Sequence, residues 1–209
     1  MTNNVTSYSA ALQVAIADRI AYEISKNAEN DSIVSCINSI AKDVAHDSIA
    51  SIMMQSSCDA NFLNRSERIS ARYNVYAAEK VANIARAIAV VKTLNHYSLH
   101  ILQSALALEA NAFVLSHKSA VAACSSSIKH SDAKQERVLK STRYAKHVAA
   151  QTASTQASSS LNALCTMNVL SETRDASNAV AYLVNREAFA TIALCAKHSL
   201  DLTIARVEA

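Results

Sequence analysis

The stretch VAAQTASTQASSSLNALCTMNVL, residues 148–170, carries no charge, no Gly and no Pro. Ala, Gln and Leu favour helix, and nothing in the stretch interrupts one. Small side chains lie all round such a helix, so neighbours can approach it closely on several sides. This predicts a central or protomer-facing helix, or one face of a groove left open for a ligand or a partner helix. Ser119–Ile128 is a second stretch of the same kind and is expected to be its neighbour.

The same bias runs through all 209 residues. There is no Gly, no Pro and no Trp, and Ala plus Ser make up about a third of the chain. Phosphate-cradling loops need Gly, because the backbone must approach an anion without a Cβ in the way. P-loops, dinucleotide fingerprints, kinase glycine loops and the nucleophile elbow of serine hydrolases are thereby excluded. Tight hairpins lean on Gly at positive φ, which argues against an antiparallel β protein. The expected class is all-α: an elongated antiparallel bundle of about six long helices with short connections, in one domain over 1–209. Residues 1–60 would form an acidic helical hairpin, and 64–209 a main bundle of four long helices.

Apolar spacing sets the expected helices. The first covers 7–28 through Leu12, Ile16, Ile20 and Ile24. The second covers 32–57, with an interruption where Val44 gives way to Ile49 at His46-Asp47-Ser48. Asn64 and Glu67 have the capping-box spacing and would open a third helix over 65–94. A break at Asn95-His96 precedes a fourth over 97–129. Asp132 and Gln135 would cap a fifth over 132–170, and a sixth would run over 175–207. Without Gly, turns must use Asn, Asp, Ser and His, since Asn and Asp tolerate the left-handed conformation best.

Charge is unevenly placed. Residues 1–60 hold 3 basic and 7 acidic residues, 61–150 hold 13 and 5, and 151–209 hold 4 and 5. Such polarity steers an anionic partner or pairs protomers. Arg65, Arg68 and Arg72, with Tyr73 and Tyr76 beside them, would share a face at the start of helix three. Lys134, Arg137, Lys140, Arg143 and His147 cluster at the start of helix five, with Lys140, Arg143 and His147 on one face. Phosphate contacts need only such charges. Acidic Glu67, Asp132 and Glu136 would neutralise part of each field.

Metal and redox chemistry find little support. His96 and His100 stand four apart and would share a helix face, the one weak metal pair. No Glu has His three residues later, so the di-iron bundle motif is absent. Asp43 and His46 give a single Asp-x-x-His. The five Cys form no CxxC pair, which reads as reduced thiols in a cytoplasmic or other reducing compartment, inside a viral or cellular particle included. The N-terminal residues show no secretory pattern, and no apolar run reaches membrane-span length. The glutamate–arginine and arginine–tyrosine pairs at 67–73 recur at 136–144 with altered spacing, a possible internal echo. The expectation is a non-enzymatic structural protein without cofactor, acting as a homo-oligomer or larger assembly. Nucleic acid or another anionic surface is the alternative partner, and a metal-binding bundle the third.

Overall fold

The computed structural model describes residues 2–26, 31–68, 71–90 and 94–188. The chain is mostly helical and falls into two compact units, Met1–Lys92 and Thr93–Ala209.

In the first unit, α1 spans Thr2–Lys26, α2 Asp31–Val44, α3 Asp47–Gln55 and α4 Val75–Ala89. The interruption expected at His46 separates α2 from α3. Helix α4 packs on α2 and α3, and α1 packs on the same pair. Leu12, Ile16, Ile37, Ile40, Val44, Ile49, Met53, Val81 and Ile84 fill the interior. The predicted α1 stripe holds only for its first half. Ile20 is half-buried and Ile24 is 49% exposed, while Arg19 and Glu23 take the buried positions.

The expected helix over 65–94 is shorter, and the described residues of its first ten, 65–68 and 71–74, are not helical. A 3₁₀ turn at Phe62–Asn64 leads into a small hairpin, β1 Ser66–Arg68 and β2 Ala71–Arg72. Asn64 cannot cap, because its side chain is already engaged. Its Nδ2 donates to the Ala15 carbonyl (2.9 Å), and its Oδ1 accepts from Arg72 (2.7 Å). Helix α4 is capped instead by Asn74, whose Oδ1 accepts from the Ala77 N–H at 3.1 Å.

In the second unit, α5 spans His96–Ala110 and is capped by Asn95, as the expected break there requires. The predicted continuation to 129 ends at Ala110. Then follow β3 (Leu115–Ser116), α6 (His117–Ala123), α7 (Ala133–Leu139) and α8 (Ala150–Thr166). Asp132 does cap α7, its carboxylate accepting from the N–H groups of Lys134 and Gln135. The expected fifth helix is two helices with an irregular segment between them. Helix α8 packs on α5 and α6, so the two small-residue stretches are neighbours. Ala153, Ala157, Ser160, Leu161 and Leu164 are buried. On its outer side Thr155 and Ser158 return their hydroxyls to carbonyls one turn back, which satisfies them without a partner helix.

A small sheet is then added to the helices of the second unit. Strands β4 (Leu170–Arg174) and β5 (Val180–Val184) pair antiparallel, and β3 adds to the other edge of β5, giving the order β3-β5-β4. The last turn expected at 171–175 and the start of helix six are therefore a hairpin. It turns without Gly because Asn178 takes φ 64°. Asp175 accepts through one carboxylate oxygen from the N–H groups of Ser177 and Ala179. The remainder of expected helix six, from 189 on, lies outside the described residues.

Three helix ends use the left-handed conformation without Gly. Ser57, Ala112 and Asn168 have φ of 56°, 60° and 53°. Each follows a helix and closes the paired C-terminal bonds of a Schellman motif. For Ala112 these are Ala112 N–H to the Glu109 carbonyl (3.1 Å) and Phe113 N–H to the Leu108 carbonyl (2.9 Å).

Candidate functional site

The three arginines expected on one helix face sit instead around the hairpin of the first unit. Arg65 is exposed, with its guanidinium 4.8 Å from the centre of the Tyr73 ring. Arg72 lies 4.0 Å from the centre of the Tyr22 ring and donates to Asn64. The side chain of Arg68 lies outside the described residues. Arg72 and Asn64 form one wall of an open polar recess of about 470 Å³, with Asp18, Tyr22, Ser25 and Asn61 around it.

Beneath them is a buried arginine that sequence reading passed over. Arg19 is 4% exposed. Its Nε donates to Glu23 at 2.7 Å, and its Nη1 donates to the carbonyls of Leu63 and Tyr73. It thus ties the 3₁₀ turn and the end of the hairpin to α1. The available signal was the Arg-x-x-x-Glu spacing of an i, i+4 pair interrupting an isoleucine stripe.

The second unit gathers the other basic set differently from the expected helix face. Lys134 and Arg137 are exposed on α7, and Lys140 caps its C-terminal end. Because α7 stops at Leu139, Lys140, Arg143 and His147 share no helix. Arg143 turns inward: Nη2 pairs with Glu136 at 2.5 Å and Nη1 donates to the Ile128 carbonyl at 3.0 Å. His147 and Lys146 are exposed on the irregular segment that follows. Glu136 also accepts from the His130 N–H at 2.7 Å. Burial opposes its ionisation, but the bonds from Arg143 and His130 prevail and hold its carboxyl below the usual range. The two expected neutralising acids, Asp132 and Glu136, are therefore spent on backbone N–H groups and on Arg143. In the glutamate–arginine echo, the first copy is a hairpin and the second a helix with an irregular tail, so no common local structure joins them.

His96 and His100 do lie on one side of α5, but a ring from another segment stands against both. Tyr144 stacks on His96 at 4.5 Å between centres with planes 21° apart, and lies 5.3 Å from His100. Tyr97 meets Tyr144 edge-on at 5.7 Å. His100 Nδ1 is 2.7 Å from the Thr142 carbonyl. A carbonyl only accepts, so that nitrogen carries the proton. Among the described residues no group of three or more His, Cys, Asp or Glu is placed to hold a metal ion.

One further pair has the composition of a nucleophile and its base. Ser119 Oγ lies 3.4 Å from His130 Nε2. The Asp132 N–H donates to His130 Nδ1, however, which leaves Nε2 as the protonated nitrogen. The ring cannot take a proton from Ser119, whose hydroxyl donates to Gln135 Oε1 at 3.1 Å. The group is a cap network at the starts of α6 and α7.

No helix among the described residues is long and apolar enough to cross a membrane. No protein-family model, no curated protein and no solved structure matches the chain.

Proposed function

We propose that the protein is a non-enzymatic assembly component whose helices pack between copies of the chain, with α1 supplying the contact. The observation that carries this reading is an exposed seam on α1. Ser7, Ala10, Val14, Ala17, Ala21 and Ile24 are all exposed, and Val14 is 62% accessible. Their spacing alternates three and four residues, the pattern of a coiled-coil seam. The opposite side of the same helix packs on α2 and α3, so α1 has two apolar faces where a surface helix needs one.

A second copy fits this seam by size. An antiparallel pair centred between Ala15 and Ile16 sets Val14 against Ala17, Ile24 against Ser7 and Ala10 against Ala21. Each large side chain then meets a small one, as interdigitated layers require. Asp18 is the one charged residue on the flanks, and it falls beside Ala11 of the second copy rather than beside a like charge. Cys36 and Cys58, both unbridged thiols, accord with a reducing compartment.

Sedimentation velocity at tens of micromolar tests the reading. A dimer or larger species is expected for the native chain, and a monomer for Val14→Lys/Ala17→Lys. A native chain that sediments as a monomer overturns it.

A further inference from the structure

We infer that the second unit carries a binding face for single-stranded nucleic acid, built from the exposed basic residues of α7 and the segment after it and from the aromatic group around Tyr144. This does not depend on the α1 seam.

The first unit, 1–92, holds nine basic and nine acidic residues and is neutral. Between His117 and His147 there are seven basic residues and two acidic ones. The positive field of the whole chain is therefore concentrated in α6, α7 and the segments that follow them. Lys118, Lys129, Lys134, Arg137, Lys140 and Lys146 are all exposed there. Lys134 and Arg137 stand three residues apart on α7, and Lys140 follows three residues later at its C-terminal cap. Of the two acids, Glu136 is paired with Arg143, and Asp132 caps the N-terminal end of α7 through one carboxylate oxygen.

Charge alone attracts any polyanion, whereas single strands are also held by stacking of bases on aromatic faces. Tyr144 lies within four residues of Lys140, Lys146 and His147. It forms a continuous aromatic group with exposed His96 and half-buried Tyr97.

The segment carrying these residues is irregular yet pinned. Tyr144 N–H donates to the Ala123 carbonyl at 2.8 Å, and Ser126 N–H donates to the Lys146 carbonyl at 3.0 Å. Val148 N–H donates to Ser125 Oγ at 2.9 Å, and the Thr142 carbonyl accepts from His100. A binding face held in place before the ligand arrives loses less freedom on binding. Bulky apolar side chains that would enter a lipid surface are absent from the exposed positions of α7 (Ala133, Lys134, Arg137), which favours nucleic acid over membrane.

Fluorescence anisotropy of a labelled oligothymidylate of about twenty nucleotides, titrated at several salt concentrations, tests the inference. The native chain should bind with salt-dependent affinity and prefer the single strand to a duplex of equal length. Lys140→Gln/Lys146→Gln should lower the slope of log affinity against log salt by about 1.4, from roughly 0.7 per lost phosphate contact on a single strand. Tyr144→Leu should weaken binding about tenfold with the slope unchanged, the size of one lost stacked base. Tyr144→Phe keeps the ring and should bind as the native chain does, which separates stacking from misfolding. The inference is overturned by absence of binding at low salt. Equal affinity for duplex with no response to Tyr144→Leu overturns it too, as does binding to phosphatidylserine vesicles with none to the oligonucleotide.

Discussion

Replacing Ala112 by Gly should stabilise the second unit. Ala112 sits just past α5 with φ 60°, where the Cβ of an L-residue crowds the following carbonyl at a cost of roughly 1–2 kcal/mol. Gly removes that crowding but has more freedom to lose on folding, which returns roughly 0.5–1 kcal/mol. The balance is a gain of about 0.5–1 kcal/mol. Ala112 is exposed, so no packing is lost with its methyl group. For a unit of about a hundred residues this corresponds to a Tm rise of roughly 2–6 °C, read by calorimetry or urea denaturation. Ala11→Gly, at an exposed position inside α1, is the control and should lose about 1 kcal/mol. If Ala112→Gly loses stability as the control does, the left-handed assignment at the end of α5 is wrong, and with it the account of how this chain turns without Gly. Ser57→Gly should gain similarly in the first unit. Asn168→Gly should gain less, because Asn tolerates the conformation.

Two further outcomes follow from the first unit. Arg19→Met should cost about 3–5 kcal/mol, measured by urea denaturation, since it leaves Glu23 buried without its partner and two carbonyls without a donor. The double variant Arg19→Met/Glu23→Leu should recover part of that loss. The second outcome concerns alkaline pH. Burial pushes the Cys58 thiol up to about 12, and burial likewise raises the Tyr8 phenol, which donates to the Cys58 carbonyl. Both groups are held neutral in the folded state. Their contribution is fully present below the ordinary thiol range and is lost as pH rises toward the folded values. Unfolding free energy should therefore decline above about pH 9, and Cys58→Ala should flatten the first part of that decline.

Much of the chain was legible because local rules acted without tertiary competition. Asn95 and Asp132 cap the helices they precede, and the break in apolar spacing at His46 is a real break. Where tertiary contacts claimed the same side chains, local reading failed. Asn64 has the spacing of a cap, but the Ala15 carbonyl and Arg72 hold it. Val180, Leu183 and Val184 fit a helical spacing, yet Val180, Tyr182 and Val184 fit a strand equally well, and short apolar runs do not decide between the two. The absence of Gly weighed against a hairpin there, but Asn178 and Asp175 supply the turn. At the candidate site, the basic residues were visible as a cluster. Their union with His96 was not, because it depends on Tyr144 returning across nearly fifty residues of chain.

The Arg19 clamp also fixes an order of events during synthesis. Its acceptors, the carbonyls of Leu63 and Tyr73, lie 44 and 54 residues further along the chain. A growing chain made from its N-terminus therefore presents the guanidinium long before the groups that satisfy it exist. The hairpin between those acceptors is too short to stand alone in water. It takes its shape only when it closes onto a helix already made, so a later part of this unit completes the first.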